Sequence, residues 1–317
     1  MKKIVVLGGG AGNFVLLQGL KKYTSSLTAI FTMFDSGGSS GTLRDEFGYL
    51  PPGDIRRGIL ALSGESSETK ILRSLFNYRF TKGNGLTGHN FGNLLLTALK
   101  DITGDELMAI YEASKLFNIK GKVLPITLDK ANLCAELENG QIIVGETNID
   151  IPKHDSTIKI KRVFLDAPAH ILPDAAQALL EADLILLAPG DLFTSLLPNL
   201  LVEGTLQAIK ESKAKKVFIC NIMTKNGETN NFKASDFLET VEHYLGKDVL
   251  TYFLVNTAPC SEKLLKKYAL EYAQQVEIDE NLFLRTDITF ILDDFIQESE
   301  IVRHDSTKLA KKIINLL

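Results

Sequence analysis

The apolar residues of this chain fall in short runs that end at glycine or at a polar turn. The first run, residues 4–7, stops at a glycine cluster, and residues 12–22 then place apolar side chains at the period of an amphipathic helix. A second apolar run, residues 28–34, predicts another strand. The first 35 residues therefore predict a βαβ unit. Its parallel strands must be covered by other elements on both faces of the sheet.

Helix signals continue through the first third of the chain. Asp54 is predicted to cap a helix over residues 55–63, Asn90 a helix over 91–100, and a third helix is predicted around 105–117. In the second half, one helix and then three buried strands are predicted at residues 173–181, 183–188, 216–221 and 249–255. This alternation predicts an α/β fold with a Rossmann-like, doubly wound and mostly parallel sheet.

Residues 121–165 interrupt the alternation. Short runs of alternating apolar and polar residues cover 122–127, 131–138 and 141–147. Asn139-Gly140 separates the last two runs, and Asn-Gly between alternating segments is a strong hairpin signal. Too few apolar residues lie here for a separate core, so we interpret the region as a β-rich insertion in a single α/β domain spanning residues 1–317.

The charge and the cysteine content of the chain indicate which partners and which cellular compartment to expect. The formal net charge is −4 and the lysines are scattered, so no basic surface predicts nucleic-acid binding. The three cysteines form no Cys-x-x-Cys pair, which predicts no disulfide or thiolate metal site and a reducing cytoplasm. The apolar runs are far shorter than the ~20 residues of a membrane span, which predicts no membrane insertion.

Three glycine-rich segments follow predicted strands. The longest, residues 35–57, is predicted as a long loop that exposes backbone N–H groups around arginines, a setting that suits phosphate oxygens. Another follows the first strand, and a third follows a strand far downstream. The candidate ligand-binding residues in these segments are Gly9, Gly10, Gly12, Gly37, Gly38, Ser39, Ser40, Arg44, Asp54, Arg56, Gly190, Asp191, Thr194 and Ser195.

Asp35 stands at the end of the second predicted strand. A Rossmann protein places its ribose-binding acid there, although the glycines after the first strand match the dinucleotide fingerprint only in part. An NAD-like dinucleotide is therefore one candidate ligand, and a purely structural cap of the following turn is the alternative role for Asp35. Asp35 is also a candidate Mg²⁺ ligand beside a bound diphosphate, since that ion often takes only one or two protein carboxylates.

His89 lies just before a predicted helix, where free N–H groups and the positive end of the dipole attract an anion. It is a candidate phosphate donor or acid–base group, with local hydrogen bonding as the alternative, and Asn93 is a further candidate. Asn221 and Thr224 follow another strand in the same way. These loops meet at one edge of a parallel sheet, which predicts one nucleotide-like ligand. Without a nucleophile triad or a Walker loop, the catalytic candidates are Asp35 and His89.

Taken in order, these motifs resemble one family along nearly the whole chain. The matching stretches are residues 8–21, 35–44, 51–56, 83–99, 102–105, 120–125, 188–202 and 221–229. On these motifs the sequence is identified as a member of the gluconeogenesis factor family, the bacterial relatives of 2-phospho-L-lactate transferase. Composition and periodicity alone would not have led to this family.

The resemblance implies a Rossmann-like fold, a cytoplasmic homodimer, and a role in cell shape and cell-wall supply during growth on gluconeogenic carbon. It also implies a small-molecule nucleotide ligand, a UDP-sugar such as UDP-N-acetylglucosamine, without an established reaction. The family's nucleotide-sugar contacts include a tyrosine and an arginine that look like Tyr268 and Arg303 here. Without the resemblance, Tyr268 would be a helix-face residue and Arg303 a solvated charge.

Two departures from the family pattern bear on chemistry. Relatives commonly carry threonine where this chain has Ala11, and a second aspartate where it has Ser36. Loss of one of two paired acids weakens a metal-dependent transfer more than it weakens binding, so the leading hypothesis is a UDP-sugar-binding regulator. The alternative is a transferase that moves a phosphate-linked group from a nucleotide diphosphate donor, with Asp35 holding Mg²⁺ and Arg44 or Arg56 neutralising the phosphates. A dehydrogenase ranks last.

Overall fold

A seven-stranded parallel sheet forms the centre of the molecule, as seen in a computed structural model that describes residues 2–64, 67–285 and 287–317. The strands in these ranges are β1 Ile4–Gly8, β2 Leu27–Phe31, β3 Lys122–Pro125, β4 Leu133–Leu137, β5 Ile142–Val144, β6 Ile160–Leu165, β7 Leu184–Leu187, β8 Lys215–Ile219, β9 Tyr252–Asn256, β10 Thr289–Asp293, β11 Ile296–Glu298 and β12 Val302–His304.

The helices in the same ranges are α1 Gly10–Leu20, α2 Gly38–Phe47, α3 Gly53–Leu62, α4 Ser67–Asn77, α5 Phe91–Thr103, α6 Glu106–Leu116, α7 Glu146–Asp150, α8 Pro173–Leu180, α9 Leu197–Leu200, α10 Thr205–Glu211, α11 Ala234–Leu245, α12 Glu262–Ala269, α13 Glu280–Phe283 and α14 Ser306–Ile314. A π-helical turn, Leu192–Leu196, leads directly into α9.

The strand order of the main sheet is β10-β9-β8-β7-β1-β2-β3, and each neighbouring pair is parallel. The chain winds outward from β1 to β3 on one side and from β7 to β10 on the other. This confirms the predicted Rossmann-like, doubly wound architecture. The direction of winding reverses between β1 and β7, and ligands of such sheets bind in the crevice at that point, outside the carboxyl ends of the strands.

The central strands are buried on both faces, as a parallel sheet between helical layers must be. Every residue of β1 and β7 is buried, which explains why both strands stand out as uninterrupted apolar runs. Helix α1 packs against α3 and α14. A Cβ atom at Gly19 of α1 would lie 2.0 Å from the carbonyl oxygen of Ser306, so α14 approaches closely only because Gly19 has no side chain. This contact holds the C-terminal part of the chain beside its first helix.

The antiparallel insertion is smaller than predicted. Strand β3 pairs in parallel with β2 and extends the main sheet, so the assignment of residues 122–127 to the insertion is wrong. A separate antiparallel sheet, in the order β5-β4-β6, begins at Leu133. The hairpin at Asn139-Gly140 is confirmed, with φ of +86° at Gly140. A four-residue strand at the sheet edge shows the same alternation as an antiparallel strand, which explains the misassignment.

Two observations concern the chain as a whole. Cys134, Cys220 and Cys260 are free and buried. Within the described ranges, no helix combines the length and the apolar character that crossing a bilayer requires.

Candidate functional site

Two glycine turns meet where the strand order reverses, one after β1 and the other after β7. A Cβ atom at Gly12 would lie 2.0 Å from the carbonyl oxygen of Pro189, and a Cβ atom at Gly190 would lie 3.2 Å from that of Gly9. The two turns can touch only because Gly12 has no side chain. The first and third predicted glycine segments therefore form one continuous surface.

A cavity of about 260 Å³ opens beside these turns. Its wall combines both turns with the loop after β8, with α12 and with β12. Predicted ligand residues in this wall are Gly12, Gly190, Asn221, Tyr268 and Arg303. The two residues indicated by the family resemblance, Tyr268 and Arg303, thus face the same cavity as the two glycine turns.

Hydrogen bonds fix the shape of this cavity. Nδ2 of Asn221 donates to the carbonyl oxygen of Gly190 at 2.7 Å, and Oδ1 of Asn221 accepts from the Gly190 N–H at 3.5 Å. The hydroxyl of Tyr268 accepts from the backbone N–H of Val302 at 3.1 Å, which holds β12 against α12. Arg303 is exposed, and its guanidinium forms no ion pair with the residues that the structure describes. Such a guanidinium beside a helix N-terminus suits an anion.

The N–H of Gly10 already has an anionic partner inside the protein. Both carboxylate oxygens of Asp54 accept from it at 3.2 Å, and Arg57 pairs with the same carboxylate at 2.9 Å. The prediction that Asp54 caps its own helix is wrong, because α3 begins at Gly53 and the Asp54 side chain reaches across to α1. Burial raises the pKa of Asp54, and Arg57 opposes the rise. The Gly10 N–H is therefore not free for an external phosphate.

The predicted long glycine loop is wrong in its extent, because helix α2 begins at Gly38. Asp35 accepts from the backbone N–H of Gly37 at 2.8 Å, so it does cap the turn that precedes this helix. Gly38 has φ of +47°, and a Cβ atom there would meet nothing within 4 Å. An open position at the first residue of a helix leaves room for a ligand beside its N–H groups.

Ser39 and Ser40 connect α2 to the start of α5. Ser39 Oγ accepts from the N–H of Asn90 at 3.1 Å and lies 3.3 Å from Nδ1 of His89, while Ser40 Oγ accepts from Nδ2 of Asn93 at 3.3 Å. The predicted cap of α5 is confirmed, since Asn90 Oδ1 accepts from the Asn93 N–H at 3.2 Å. The structure thus brings four predicted ligand residues together around the start of α5.

Arg44 and Arg56, the two arginines named as candidate ligand residues, lie in different surroundings. Arg56 is buried and donates to Oδ1 of Asn93 and of Asn77, both at 3.0 Å, and burial lowers its pKa to about 10. Arg44 lies in the last turn of α2, pairs with Asp45 and borders a different cavity. Arg56 therefore lies beside the candidate ligand Asn93 at the start of α5, with its Nε and Nη1 engaged within the protein, and Arg44 lies at the opposite end of α2 from the glycine turn.

A glutamate that the sequence did not indicate lies beside Asp35. Glu146 belongs to α7 of the insertion, and its Oε2 accepts from Thr147 Oγ1 at 3.1 Å and from the Ser36 N–H at 3.4 Å. Burial, together with the charges of Asp35 and Asp150, raises the pKa of Glu146 to about 8. The raised pKa favours the protonated form of this carboxyl group at neutral pH. The pattern around Glu146 predicts a strand, and nothing in that pattern marks this residue.

A second cluster, of three carboxylates and one lysine, lies behind the turn after β7. Asp150, Asp191 and Glu228 place carboxylate oxygens within 4.8 Å of one another. The ammonium of Lys225 pairs with Asp150, with Asp191 at 2.9 Å and with Glu228 at 3.2 Å. Burial alone would lower the pKa of Lys225, but the three carboxylates outweigh it and raise the pKa. Asp191, a predicted ligand residue, thus has an internal partner.

Three hydroxyl groups of the same region differ in their surroundings: two bond within the protein, and one faces a glycine turn. Thr194 donates to Oε1 of Glu228 at 3.0 Å, and Thr224 Oγ1 accepts from the Gln274 N–H at 2.9 Å. Ser195 differs, because its Oγ would lie 3.4 Å from a Cβ atom at Gly10 and so faces the turn after β1. Ser195 is therefore better placed for a ligand than the two threonines.

The two acidic groups differ in how they suit a metal ion. In the second cluster, the Lys225 ammonium already lies among the three carboxylates, so a metal ion could bind there only by displacing the lysine. Asp35 and Glu146 have no such internal cation among the residues described, and Asp35 contributes to the raised pKa of Glu146. Neighbouring carboxyl oxygens are the ligands that Mg²⁺ takes from proteins. A bound Mg²⁺ would replace the proton on Glu146, so Asp35 and Glu146 fit such an ion with both carboxyl groups ionised.

Contacts join both halves of the site along one edge of the sheet. A Cβ atom at Gly53 would lie 2.4 Å from Ser40 Oγ and 3.1 Å from Oδ2 of Asp35, and a Cβ atom at Gly9 would lie 2.6 Å from Oδ2 of Asp54. The contacts thus run from Asp35 across the start of α3 to the turn after β1 and on to the cavity. Most of the candidate ligand residues thus lie along one rim in two groups, and Arg44 lies apart from both.

Known proteins resemble this chain along its whole length. The gluconeogenesis factor of Halalkalibacterium halodurans is 44% identical over 316 residues, which is 99% of this chain and 96% of its relative. That of Bacillus subtilis is 42% identical over 318 residues, 99% and 98% of the two chains. A crystal structure of a UPF0052 family member from Bacillus halodurans has a TM-score of 0.93 at 43% identity and covers 99% of this chain and 98% of its own. The family described as 2-phospho-L-lactate transferase CofD matches residues 4–296, and this chain belongs to it.

Proposed function

We propose that this protein binds a nucleotide sugar of the UDP-N-acetylglucosamine type in the cavity beside the turns that follow β1 and β7, and that it acts as a regulator. One observation carries the proposal: Gly12, Gly190, Tyr268 and Arg303, from four separate segments, line the same cavity. The bound state is then reported to cell-wall and carbon metabolism, a role that suits relatives named gluconeogenesis factors.

The cavity offers groups that suit the diphosphate of such a ligand. The start of α1 borders the cavity with its first N–H already bonded to Asp54, so the full positive charge of Arg303 is the main attraction for the diphosphate. The Asn221 side chain bonds to both the N–H and the carbonyl oxygen of Gly190, which holds this turn in place before a ligand binds. Tyr268 contributes its ring to the wall, since its hydroxyl already bonds to Val302.

Binding is favoured over group transfer because the other predicted arginines have protein partners. Arg56 holds Asn93 and Asn77, and Arg44 lies at the opposite end of α2 from the glycine turn. Phosphoryl-type transfer depends on positive groups that stabilise charge as it develops. A site with few available guanidinium groups can hold a diphosphate, but it stabilises such a transition state poorly.

Calorimetric titration with UDP-N-acetylglucosamine tests this proposal. Arg303→Ala should weaken binding about tenfold or more, because a charge-assisted contact to phosphate is lost. Arg44→Ala is the matched control and should keep the wild-type affinity, since it removes an arginine outside the cavity. Titrations with UDP and NAD separate a nucleotide sugar from a nucleotide or dinucleotide ligand. No binding by the wild type, or equal losses in both variants, would overturn the proposal.

A transferase is the second candidate, favoured by the neighbouring carboxyls of Asp35 and Glu146. These two residues would hold Mg²⁺, which neutralises phosphate charge when it is bound. His89, 3.3 Å from Ser39 Oγ, is the candidate to exchange a proton with an acceptor hydroxyl. Metal-dependent product formation from a nucleotide diphosphate donor tests this function. Asp35→Asn should abolish it without changing the circular dichroism spectrum, and full activity in that variant would contradict the assignment.

We also propose that the protein is a homodimer, as the family resemblance implies. Native mass spectrometry gives the subunit count and any co-purified nucleotide in one measurement. A monomer at micromolar concentration would contradict the dimer without affecting the proposed ligand.

A further inference from the structure

The proposed function makes no use of the lysine-centred cluster, defined as Lys225 with Asp150, Asp191 and Glu228. The cluster joins three parts of the chain, namely α7 of the insertion, the turn after β7 and the loop after β8. The Lys225 and Asp150 side chains are 27% and 28% exposed, and that of Glu228 is fully buried. The Asp191 side chain is 42% exposed, so the cluster runs from the surface to the interior, and its buried carboxylate at Glu228 destabilises the fold unless that charge is balanced.

Glu228 connects the cluster to the segment behind the glycine turn. Its two carboxylate oxygens accept from the Phe193 N–H and from the Thr194 hydroxyl, both at 3.0 Å. These residues belong to the π-helical turn that follows Asp191, and such turns are frequent at functional sites. The cluster therefore fixes the segment next to Gly190, which lines the cavity.

The three carboxylates are arranged as they would be around a bound cation, but the cation here is the ammonium group of the Lys225 side chain. Three carboxylates with oxygens within 4.8 Å of one another form a set that divalent ions bind. The Lys225 Nζ lies 2.9 Å from Asp191 and 3.2 Å from Glu228, and it pairs with Asp150 as well. A tethered ammonium balances these charges without a binding equilibrium, so the arrangement does not depend on the supply of a metal.

We propose that Lys225 is a positioning residue for the nucleotide site, an internal cation that holds the Gly190-Asp191 turn in place and docks α7 of the insertion against it. The inference rests on the proposed function for the identity of the ligand. Without the ammonium, three carboxylates face one another, and their repulsion opens the turn. A divalent cation is then able to replace the lysine.

Lys225→Ala tests the internal cation without any nucleotide. In metal-free buffer, amide hydrogen exchange over residues 190–196 should be faster than in the wild type. Electron paramagnetic resonance should detect about one more bound Mn²⁺ per chain than in the wild type, and this Mn²⁺ should slow the exchange again. Lys225→Ala/Asp150→Asn lacks one of the three carboxylates and should lose the additional Mn²⁺.

Nucleotide affinity provides the second readout. Lys225→Ala should bind UDP-N-acetylglucosamine about tenfold more weakly than the wild type without metal, and should regain most of that affinity in millimolar Mn²⁺. Lys225→Arg keeps the charge and should stay within about threefold of the wild type. Lys233→Ala removes a lysine that pairs with Glu277 outside the cluster, and it should behave as the wild type. If Lys225→Ala does not fold, Lys225→Gln removes the same charge and takes its place.

The outcomes distinguish this inference from the proposed function. If residues 190–196 of Lys225→Ala exchange at the wild-type rate and the variant binds no additional Mn²⁺, the proposed role of Lys225 is wrong, even if the nucleotide binds. Absence of UDP-N-acetylglucosamine binding by the wild type would overturn the nucleotide site. Metal-restored exchange in the variant would then still support Lys225 as the residue that positions the turn.

Discussion

Among single residues, Gly12 shows how an absent side chain sets the distance between two segments. A Cβ atom there would lie 2.0 Å from the carbonyl oxygen of Pro189 and 2.6 Å from its carbonyl carbon. Both are backbone atoms, which cannot rotate away as a flexible side chain can. The contact between the turns after β1 and β7, and with it one wall of the cavity, therefore depends on glycine at this position.

Gly12→Ala is expected to lower the free energy of unfolding by about 1 kcal/mol, the difference between about 2 kcal/mol of overpacking and about 1 kcal/mol gained in helix propensity. Overpacking costs about 1–3 kcal/mol, which exceeds the gain of alanine over glycine in helix propensity. Urea unfolding measures the change. Gly64→Ala is the control, because a Cβ atom at Gly64 would meet nothing within 4 Å. Equal stability of the two variants would mean that the turns separate without cost.

His304 makes the stability of the cavity wall depend on pH. Burial in β12 lowers its pKa to about 4, from an ordinary value of 6.5. Above pH 6.5 the imidazole is neutral in both the folded and the unfolded chain. Between pH 6.5 and pH 4 only the unfolded chain takes up the proton, so stability falls with pH by about 1.4 kcal/mol per pH unit, or about 3 kcal/mol in all.

His304→Gln should remove this part of the acid destabilisation, because glutamine does not titrate. The free energy of unfolding of the wild type, relative to that of the variant, should therefore fall by about 3 kcal/mol between pH 6.5 and pH 4. Urea unfolding at several pH values measures this difference, and carboxylates common to both proteins cancel. A difference that stays constant with pH would contradict a buried, neutral His304.

The roles of single polar residues were the least predictable part of the site. Asp54 and Arg56 lie in a segment that predicts phosphate binding. In the structure, however, Asp54 accepts from the Gly10 N–H and Arg56 donates to Asn93, so both have partners within the protein. A sequence shows that polar residues follow a strand, but it does not show which other segment reaches them. Glu146 is the converse case, since it becomes a neighbour of Asp35 only when the insertion folds over the sheet.

Among the elements, strands buried on both faces were the most predictable. β1 and β7 are fully buried, and each therefore leaves an uninterrupted apolar run in the sequence. β10 and β11 have only half-buried and exposed positions, β12 alternates buried and exposed ones, and none of the three was predicted. Because β12 carries Arg303, the far wall of the cavity could not be derived from periodicity and was indicated only by the family resemblance.

The capped start of α5 gives a prediction at the same scale. Asn90→Ala should lower the free energy of unfolding by about 1 kcal/mol, since Asn90 Oδ1 no longer accepts from the Asn93 N–H. Asp105→Ala removes the equivalent cap of α6, where Asp105 accepts from the Met108 N–H, and should cost about the same. Denaturant unfolding measures both losses.

A local readout separates the two caps. Only Asn90→Ala should shift the imidazole proton resonances of His89, because losing the cap loosens the start of α5, whose retained backbone N–H at residue 90 positions this segment against Ser39. Nuclear magnetic resonance spectra of the wild type and both variants test this difference. An equal shift in Asp105→Ala would mean that the position of His89 reflects overall stability rather than the cap of α5.

Across the whole molecule, the order of the strands decides which loops become neighbours. Parallel strands predict loops along one edge, and the contacts from Asp35 to the turn after β1 agree with that prediction. The division of the rim into two groups was not predictable, because the sequence does not show that β1 lies between β7 and β2. Gly12 and Gly190 share a cavity only through this order, and α14 brings β12 to the same place.

Nucleotide binding should therefore protect segments that are far apart in sequence. With UDP-N-acetylglucosamine, amide hydrogen exchange should slow together over residues 9–15, 189–196, 221–224 and 300–304, because all four segments border one cavity. Residues 105–125, at the β3 edge of the sheet, should exchange as before. Arg303→Ala should reduce the protection in all four segments at once, since each depends on the same bound ligand. Protection confined to residues 35–57 would instead place the ligand beside Asp35 and Glu146, and it would favour the transferase over the regulator.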